Sequence, residues 1–246
     1  MKISNGILIT TDDIKIAYNH FNAGHKEVVI LAHGWFMSKD SKAFLKMSED
    51  FSKYYDVICF DFRGHCKSSG LYTFGARETK DLSAVVDYAK KQYDKVYLIG
   101  FSLGSLISIN YCAKNSDVDK LIVVSAPVSF EKIENNVFSP NAFIPTLKKF
   151  ELKRWLSIRF NSPFLKKPKP IKQVRKIEIP VFFIAGESDP IIKCWHNKKL
   201  FSVAKNPKRE LIIEKGKHAE DLYLEKSEIF MNACLKWLES GEKCQN

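Results

Sequence analysis

The chain has 246 residues, of which 45% are hydrophobic and 27% are charged, and this balance is typical of a folded globular protein. Its formal net charge is +11, but residues 148–176 alone contain eleven Lys or Arg and one acid. Since the rest of the chain is nearly neutral, the charge does not indicate a nucleic-acid-binding protein, and we expect no nucleic-acid partner.

No apolar run in the sequence is long enough to cross a membrane, and the first residues do not resemble a signal peptide. We therefore expect a cytoplasmic protein. The cysteines form no Cys-x-x-Cys pair and no grouping with histidine at zinc spacing, so we predict neither a metal nor a cofactor. Free thiols are expected at Cys59, Cys66, Cys112, Cys194, Cys234 and Cys244.

The N-terminal elements predict a sheet that opens with antiparallel strands. Two short strands, Ile7–Thr10 and Ile14–His20, flank turn residues 11–13 and are typical of a hairpin. The next segment, Glu27–Ala32, is a continuous apolar run of the kind found in strands that are covered on both faces.

From this point to the C-terminus, predicted strands and helices alternate. The further strands are predicted at 56–60, 95–99, 120–124, 179–185 and 209–214. The helices are predicted at 40–54, 77–92, 103–114, 191–204 and 222–239. This alternation predicts right-handed βαβ units, and hence an α/β protein with a doubly wound, mostly parallel sheet of about eight strands.

The alternation stops after Pro127. Residues 128–177 are rich in proline, aromatic and basic residues, and they do not alternate as strands do. We expect them to form a helical cap on a core domain made of residues 1–127 and 178–246. Three interpretations of the cap's lysines stay open: a solvated lid surface, an attraction for an anionic substrate, or a basic amphipathic helix over Lys148–Phe160 that contacts an anionic membrane.

The best-defined motif lies where strand 95–99 meets helix 103–114. Gly100-Phe101-Ser102-Leu103-Gly104 matches Gly-x-Ser-x-Gly and places a serine on a tight strand-to-helix turn. The two glycines keep side chains from colliding where the strand and the helix come close together. The alternative interpretation is a crossover turn with an incidental serine.

Polar residues also follow other predicted strands. Asp189, His218 and the segment His33-Gly34-Trp35-Phe36 each come soon after the end of a strand. Because ligands of open α/β sheets bind at the carboxyl ends of the strands, these residues are expected near Ser102.

With Ser102, Asp189 and His218 in this chain order, and with Asp-x-Arg-Gly-His-x-x-Ser at 61–68, the sequence resembles the serine hydrolases of the α/β-hydrolase fold. The resemblance covers nearly the whole chain outside the insertion. It implies that Ser102 is the nucleophile, that His218 is the general base, and that Asp189 orients the imidazole.

The same resemblance assigns the oxyanion hole to the backbone N–H groups of Leu103 and Trp35. Phe36 and Phe101 are the residues expected to contact the substrate. Since Trp35 and Phe36 are bulky, they would narrow the acyl side of the site, and esters of bulky tertiary alcohols are not expected.

Other residues are candidates for the acid and the base. Asp189 could instead cap a helix, and Glu187 is a neighbouring carboxylate. The remaining histidines with an expected role are His25 in a surface turn, His33 and His65 in the shaping of loops, and His196 as a solvated or capping residue of a helix.

These residues together predict a serine hydrolase that cleaves a carboxylic ester, or a thioester, of a small to medium acyl or aryl substrate through an acyl-enzyme. Amide or peptide hydrolysis and cofactor-free perhydrolysis are alternatives within the same chemistry. A non-enzymatic scaffold, whose basic cap binds an anionic membrane or an acidic partner, is the alternative from another class. The complete set of nucleophile, acid and histidine favours the enzyme. The sequence indicates no oligomeric state.

Overall fold

The computed structural model describes residues 1–133, 157–162, 164–205 and 207–241. Within these residues the strands are β1 (Lys2–Ile9), β2 (Lys15–Asn22), β3 (Glu27–Ala32), β4 (Asp56–Phe60), β5 (Lys95–Phe101), β6 (Lys120–Val124), β7 (Val181–Gly186) and β8 (Lys208–Ile213). The α-helices are α1 (Lys42–Phe51), α2 (Thr79–Lys90), α3 (Leu103–Cys112), α4 (Pro170–Gln173), α5 (Cys194–Val203), α6 (Glu220–Glu225) and α7 (Ser227–Glu239).

The eight strands of the described residues form one sheet in the order β1-β2-β4-β3-β5-β6-β7-β8. β2 pairs antiparallel with β1 and with β4, and every other pair is parallel. The prediction of a doubly wound, mostly parallel sheet of about eight strands is therefore confirmed. The strand order reverses between β3 and β5, and such a switch point leaves a crevice at the carboxyl ends of the two strands.

Both faces of the sheet are covered, as the continuous apolar strands predict. In β3, Val28, Ile30 and Ala32 belong to one core cluster, while Val29 and Leu31 belong to a second cluster on the opposite face. Helices α2 and α3 pack on the first face, and helices α1, α6 and α7 pack on the second. Successive side chains of a strand point to opposite faces, so the short run Glu27–Ala32 joins both cores.

A buried lysine connects the sheet to the end of the last helix. The Nζ atom of Lys120 in β6 donates to the carbonyl oxygens of Trp237 at 2.8 Å and Leu238 at 3.1 Å, and to the hydroxyl of Ser240 at 3.0 Å. The last carbonyl groups of a helix have no intrahelical donor, and the helix dipole favours a cation there. Lys120 therefore caps α7.

The C-terminal helix differs from its prediction over 222–239. Two helices, α6 and α7, meet at Lys226, whose φ of −131° and ψ of 39° lie outside the helical region. Leu222, Phe230 and Trp237 nevertheless belong to one core cluster. Because the apolar pattern continues through the break, periodicity does not reveal it.

Nearly half of the expected cap, including residues 148–156 of the predicted basic amphipathic helix, lies outside the described residues, and so does Cys244. The cap boundaries stay a prediction. Arg159 joins the described part of the cap to the loop after β4, because its N–H donates to Gly64 O and its carbonyl accepts from Tyr72 N, both at 2.8 Å. Val174 and Ile177, near the end of the insertion, are buried in the same core cluster as α3.

Among the described residues, no helix is both long enough and apolar enough to cross a membrane. The cytoplasmic location stays a prediction. Cys59, Cys112 and Cys234 are buried free thiols, and burial raises the pKa of the Cys59 thiol to about 12. These cysteines therefore act as small apolar residues of the core.

Candidate active site

Ser102 lies on the turn between β5 and α3, at the crevice where the strand order reverses. Its backbone has φ 51° and ψ −114°, a conformation that is strained for a residue with a side chain. Gly104 permits the tight turn, because a Cβ there would lie 2.3 Å from a carbonyl oxygen of β3. The hydroxyl of Ser105 secures it by donating to Gly100 O at 2.6 Å and accepting from Val124 N at 3.0 Å.

Three side chains form a hydrogen-bonded line at this turn. The Oγ atom of Ser102 lies 3.0 Å from Nε2 of His218, and Nδ1 of His218 lies 2.8 Å from Oδ2 of Asp189. The structure thus brings together the three residues that the sequence indicated as nucleophile, base and acid.

The surroundings of Asp189 determine which nitrogen of the imidazole carries the proton. The side chain of Asp189 is fully buried, and its Oδ1 accepts from the N–H groups of Ile191 and Ile192, both at 2.8 Å. Burial raises the pKa of Asp189, but His218 and the two N–H groups outweigh it and hold the pKa below its ordinary value. An ionised carboxylate only accepts hydrogen bonds, so Nδ1 donates to it and Nε2 is left to accept from Ser102.

Strained backbone also surrounds the histidine. Ser125 has φ 51° and Ala219 has φ 47°, and the N–H of Ala219 donates to the hydroxyl of Ser125 at 3.1 Å. Since Ala219 follows His218, this bond fixes the loop that carries the imidazole. A Cβ on Gly186 would lie 2.3 Å from Gly216 O, so the end of β7 packs backbone against backbone on the loop after β8.

The backbone N–H groups of the predicted oxyanion hole lie on the two segments that flank the Ser102 hydroxyl. Leu103 is the first residue of α3, so its N–H has no intrahelical acceptor. A Cβ on Gly34 would lie 3.2 Å from the Cβ of Ser102, and Trp35 is the next residue along that segment. His33 holds the segment in place: Nδ1 donates to Gly34 O at 2.7 Å, and Nε2 accepts from a backbone N–H after β4 at 3.1 Å.

Aromatic rings gather on the segment after β3. Trp35 and Phe36 are stacked with centroids 4.5 Å apart, and Phe160 lies 6.4 Å from the first ring and 6.2 Å from the second. Phe74 stacks on Phe160 at 5.9 Å and meets Trp35 edge-on at 5.7 Å. Phe130 contacts Phe74 at 5.5 Å. We call these five rings the aromatic cluster.

Buried charges hold the loop after β4. Arg63 pairs with Asp81 at 2.7 Å and with Asp12 at 2.9 Å. His65 is fully buried beside this pair; burial lowers its pKa to about 4, and its Nδ1 lies 3.2 Å from the carbonyl oxygen of Arg63. Burial also raises the pKa of Asp61 to about 6.

Comparison with known families identifies the chain. Residues 27–159 match the family model described as alpha/beta hydrolase fold. The chain belongs to the alpha/beta hydrolase fold family. The hydrogen-bonded line of Ser102, His218 and Asp189 is formed by the three residues that the resemblance to this family indicated.

Individual proteins that the chain resembles have low sequence identity to it, between 16% and 22%. An uncharacterized protein of Salmonella typhimurium, YfhR, is 20% identical over 202 residues; the match covers 76% of this chain and 62% of that protein, so this chain spans less than two thirds of its relative. The Pyrococcus furiosus esterase Pf2001 superposes with a TM-score of 0.80 at 22% identity, over 97% of this chain and 90% of that one. The Rhodococcus esterase RhEst1 gives a TM-score of 0.77 at 16% identity, over 96% and 99% of the two chains. At these identities the two esterases show a shared fold.

The sequence-based expectation for Phe101 is wrong in this alpha/beta hydrolase. Its side chain is fully buried in the core, 5.2 Å from the ring of Phe44 and 6.1 Å from that of Phe230. It cannot contact a substrate from there. Phe36, the other residue expected to do so, lies in the aromatic cluster, and its contact with a substrate stays a prediction.

The expectation for His196 is also wrong. It is fully buried, and its Nδ1 accepts from the N–H of Val128 at 3.2 Å, so it ties α5 to the chain after β6. Glu187, the alternative acid, accepts from the N–H of Lys215 at 3.1 Å and takes no part in the line to Ser102. In the described parts of the chain, no three His, Cys, Asp or Glu side chains are grouped as metal ligands would be.

Sequence reasoning missed Phe74 and Glu78. Phe74 has a φ of 57°, and the fully buried carboxylate of Glu78 holds its turn by accepting from Thr73 N at 2.5 Å and Gly75 N at 2.8 Å. Glu78 therefore positions the Phe74 ring in the aromatic cluster. In the sequence, the only sign of this turn was Phe74-Gly75 followed by Glu78. The same pattern occurs in ordinary exposed loops, so it did not point to a buried carboxylate.

Proposed function

We propose that this chain is a serine hydrolase that cleaves a carboxylic ester, or a thioester, of a small to medium acyl or aryl substrate. The observation that carries the proposal is the hydrogen-bonded line from Ser102 through His218 to Asp189, with distances of 3.0 Å and 2.8 Å. The line supports nucleophilic catalysis because the base is within reach of the nucleophile and a third group orients the base.

The proposed reaction begins with attack of the Ser102 oxygen on the carbonyl carbon. The hydroxyl proton passes to Nε2 of His218, and the electron pair of the C=O double bond moves onto the carbonyl oxygen. The N–H groups of Leu103 and Trp35 donate to this oxyanion. Asp189 stabilises the imidazolium that has formed.

The tetrahedral intermediate then expels an alkoxide or a thiolate, which takes the proton from His218 and leaves an acyl-enzyme on Ser102. A water molecule repeats the two steps: His218 removes a proton from the water, the hydroxide attacks the acyl carbon, and the serine oxygen leaves with the proton. The products are an acid and an alcohol or a thiol, and His218 ends in its starting state.

The aromatic cluster supports the assignment of an acyl or aryl substrate. Trp35 carries a proposed oxyanion donor and stacks on Phe36, so a group bound at Ser102 lies next to aromatic surface. Phe74 and Phe160 extend this surface. Apolar and aromatic groups lose contact with water against such rings, which favours them over small polar acyl groups.

The test combines covalent labelling with hydrolysis. A fluorophosphonate probe should label the protein, and p-nitrophenyl esters of graded acyl length should be hydrolysed; Ser102→Ala should abolish both. Ser108→Ala is the matched control, because it removes a hydroxyl from the same helix that donates to Gly104 O at 2.8 Å. Labelling that persists in Ser102→Ala, or an unlabelled parent protein, would refute the proposal.

A further inference from the structure

A groove of about 360 Å³ lies beside the chain that leaves β6. Its lining residues come from that chain, from the segment before α4 and in α4, and from α5: Val128, Ser129, Lys132, Lys169, Ile171, Trp195 and Lys199. The volume is within the range of sites that take small organic molecules. We call it the lysine groove.

The charged residues that line the lysine groove are all basic. Its lining includes Lys132, Lys169 and Lys199, all of them exposed, and none of its described lining residues is acidic. One carboxylate is near: Glu131 lies 3.8 Å from Lys169 at an exposed position.

The same groove has an apolar side. Val128 is buried, Ile171 is half-buried, and the Trp195 ring stacks on His196 at 3.8 Å with 41% of the residue exposed. Lysines alone on a surface are ordinarily solvated and attract no particular ligand. Three lysines around apolar and aromatic surface instead fit a molecule that has an apolar body and an anionic group.

Two connections place the lysine groove next to the candidate active site. Ser125, at the end of β6, accepts from the residue after His218, and the groove begins three residues later at Val128. Phe130, which follows groove residue Ser129, contacts Phe74 of the aromatic cluster. The contacts from Trp35 to Phe74 and from Phe74 to Phe130 thus connect the segment beside Ser102 to the chain that lines the groove.

We propose that the lysine groove binds the anionic end of the substrate, a carboxylate or phosphate carried by an aliphatic or aromatic group. The inference rests on the proposed function, because it assigns substrate charge to the site at Ser102. An ion pair with an exposed lysine typically contributes only a fraction of a kcal/mol. Three such pairs together favour an anionic substrate over a neutral one by about tenfold. This preference falls as salt shortens the Debye length from about 10 Å at 0.1 M to about 3 Å at 1 M.

The first measurement compares kcat/KM for mono-p-nitrophenyl glutarate, which is anionic, with that for p-nitrophenyl butyrate, which is neutral. The variant Lys132→Gln/Lys169→Gln/Lys199→Gln should lower the anionic-to-neutral ratio about tenfold at low salt and much less at 1 M salt. The matched control replaces three exposed lysines of the same region that do not line the groove and removes the same net charge: Lys172→Gln, Lys176→Gln and Lys198→Gln.

The second measurement separates this inference from the proposed function. Binding of 1-naphthyl phosphate and of 1-naphthol to the Ser102→Ala protein is measured by calorimetry, which needs no hydrolysis. Tighter binding of the phosphate that is lost in the groove variant and kept in the control supports the inference. Equal binding of the two naphthyl compounds, or an equal loss in groove variant and control, overturns it. If neither ester is hydrolysed and no fluorophosphonate label forms, the proposed function fails, and calorimetry still decides whether the groove binds anions.

Discussion

Acidification should destabilise this protein through His65. Burial lowers the pKa of His65 to about 4, since the ring is fully enclosed beside His33, Tyr72 and the Arg63 pair. In the unfolded chain a histidine titrates near pH 6.5, so the unfolded state binds the proton first. The stabilising contribution of neutral His65 is therefore fully present above about pH 6.5 and is lost as the pH falls toward 4.

The difference between the two pKa values sets the magnitude. The two pKa values differ by about 2.5 units, so the protein loses about 3 kcal/mol of its free energy of unfolding once His65 is protonated in both the folded and the unfolded state. Between pH 8 and pH 5 only the unfolded chain takes up the proton appreciably, and the loss from this one group is about 2 kcal/mol.

Urea unfolding followed by circular dichroism at several pH values between 8 and 5 measures this loss. His65→Asn keeps a donor for the carbonyl of Arg63, and His65→Phe keeps an aromatic ring; both should lower stability at pH 8 and flatten its decline toward pH 5. His20, whose pKa burial also lowers, is present in all three proteins, so its contribution cancels. Parallel pH curves for the parent protein and both variants would refute the reasoning.

Three further predictions concern the proposed triad, the turn at Gly104 and the helix cap at Lys120. Asp189→Asn and His218→Ala should each lower kcat by about a thousandfold or more, and the double variant by far less than the product, because triad members act as a unit; steady-state kinetics showing full multiplication would contradict a shared triad. Gly104→Ala should lower the urea midpoint and the activity, because its Cβ would lie 2.3 Å from a carbonyl oxygen of β3, whereas Gly241→Ala, with nothing within 4 Å, should change neither. Lys120→Met should lower the free energy of unfolding by about 2 kcal/mol, because it leaves buried helix-end carbonyls without a donor; an unchanged urea curve would argue against that capping role.

The strands were predictable because their signals are local. Glu27–Ala32, Asp56–Phe60 and Lys120–Val124 have the bounds that the sequence predicted, since each is a continuous apolar run framed by polar residues. The turn at Ser102 between β5 and α3 was predictable for a similar reason, because a serine between closely spaced glycines after a strand is typical of a tight strand-to-helix turn. Asp189 and His218 were expected near Ser102 because each follows a strand, and ligands of open α/β sheets bind at the carboxyl ends of the strands.

Side-chain direction was harder to predict than element position. Phe101 is next to Ser102 in sequence, but it points into the core because neighbouring residues of a strand face opposite ways. His196 and Asn197 lie in a polar stretch of α5, yet both are buried with Leu200 on the face toward the sheet. Composition gave no sign of this burial. The Phe74 turn depends on a buried carboxylate, and its contacts are visible only in three dimensions.

Three strained residues around the proposed triad imply that this protein's stability and its proposed activity are opposed. Ser102, Ser125 and Ala219 hold positive φ values of 51°, 51° and 47°, and such conformations cost about 1–3 kcal/mol each in a residue with a side chain. Glycine would relax each position, so Ser102→Gly should melt at a higher temperature than the parent protein. Selection or engineering for heat tolerance alone would therefore tend to erode the site, and an improved variant has to gain its stability elsewhere in the fold.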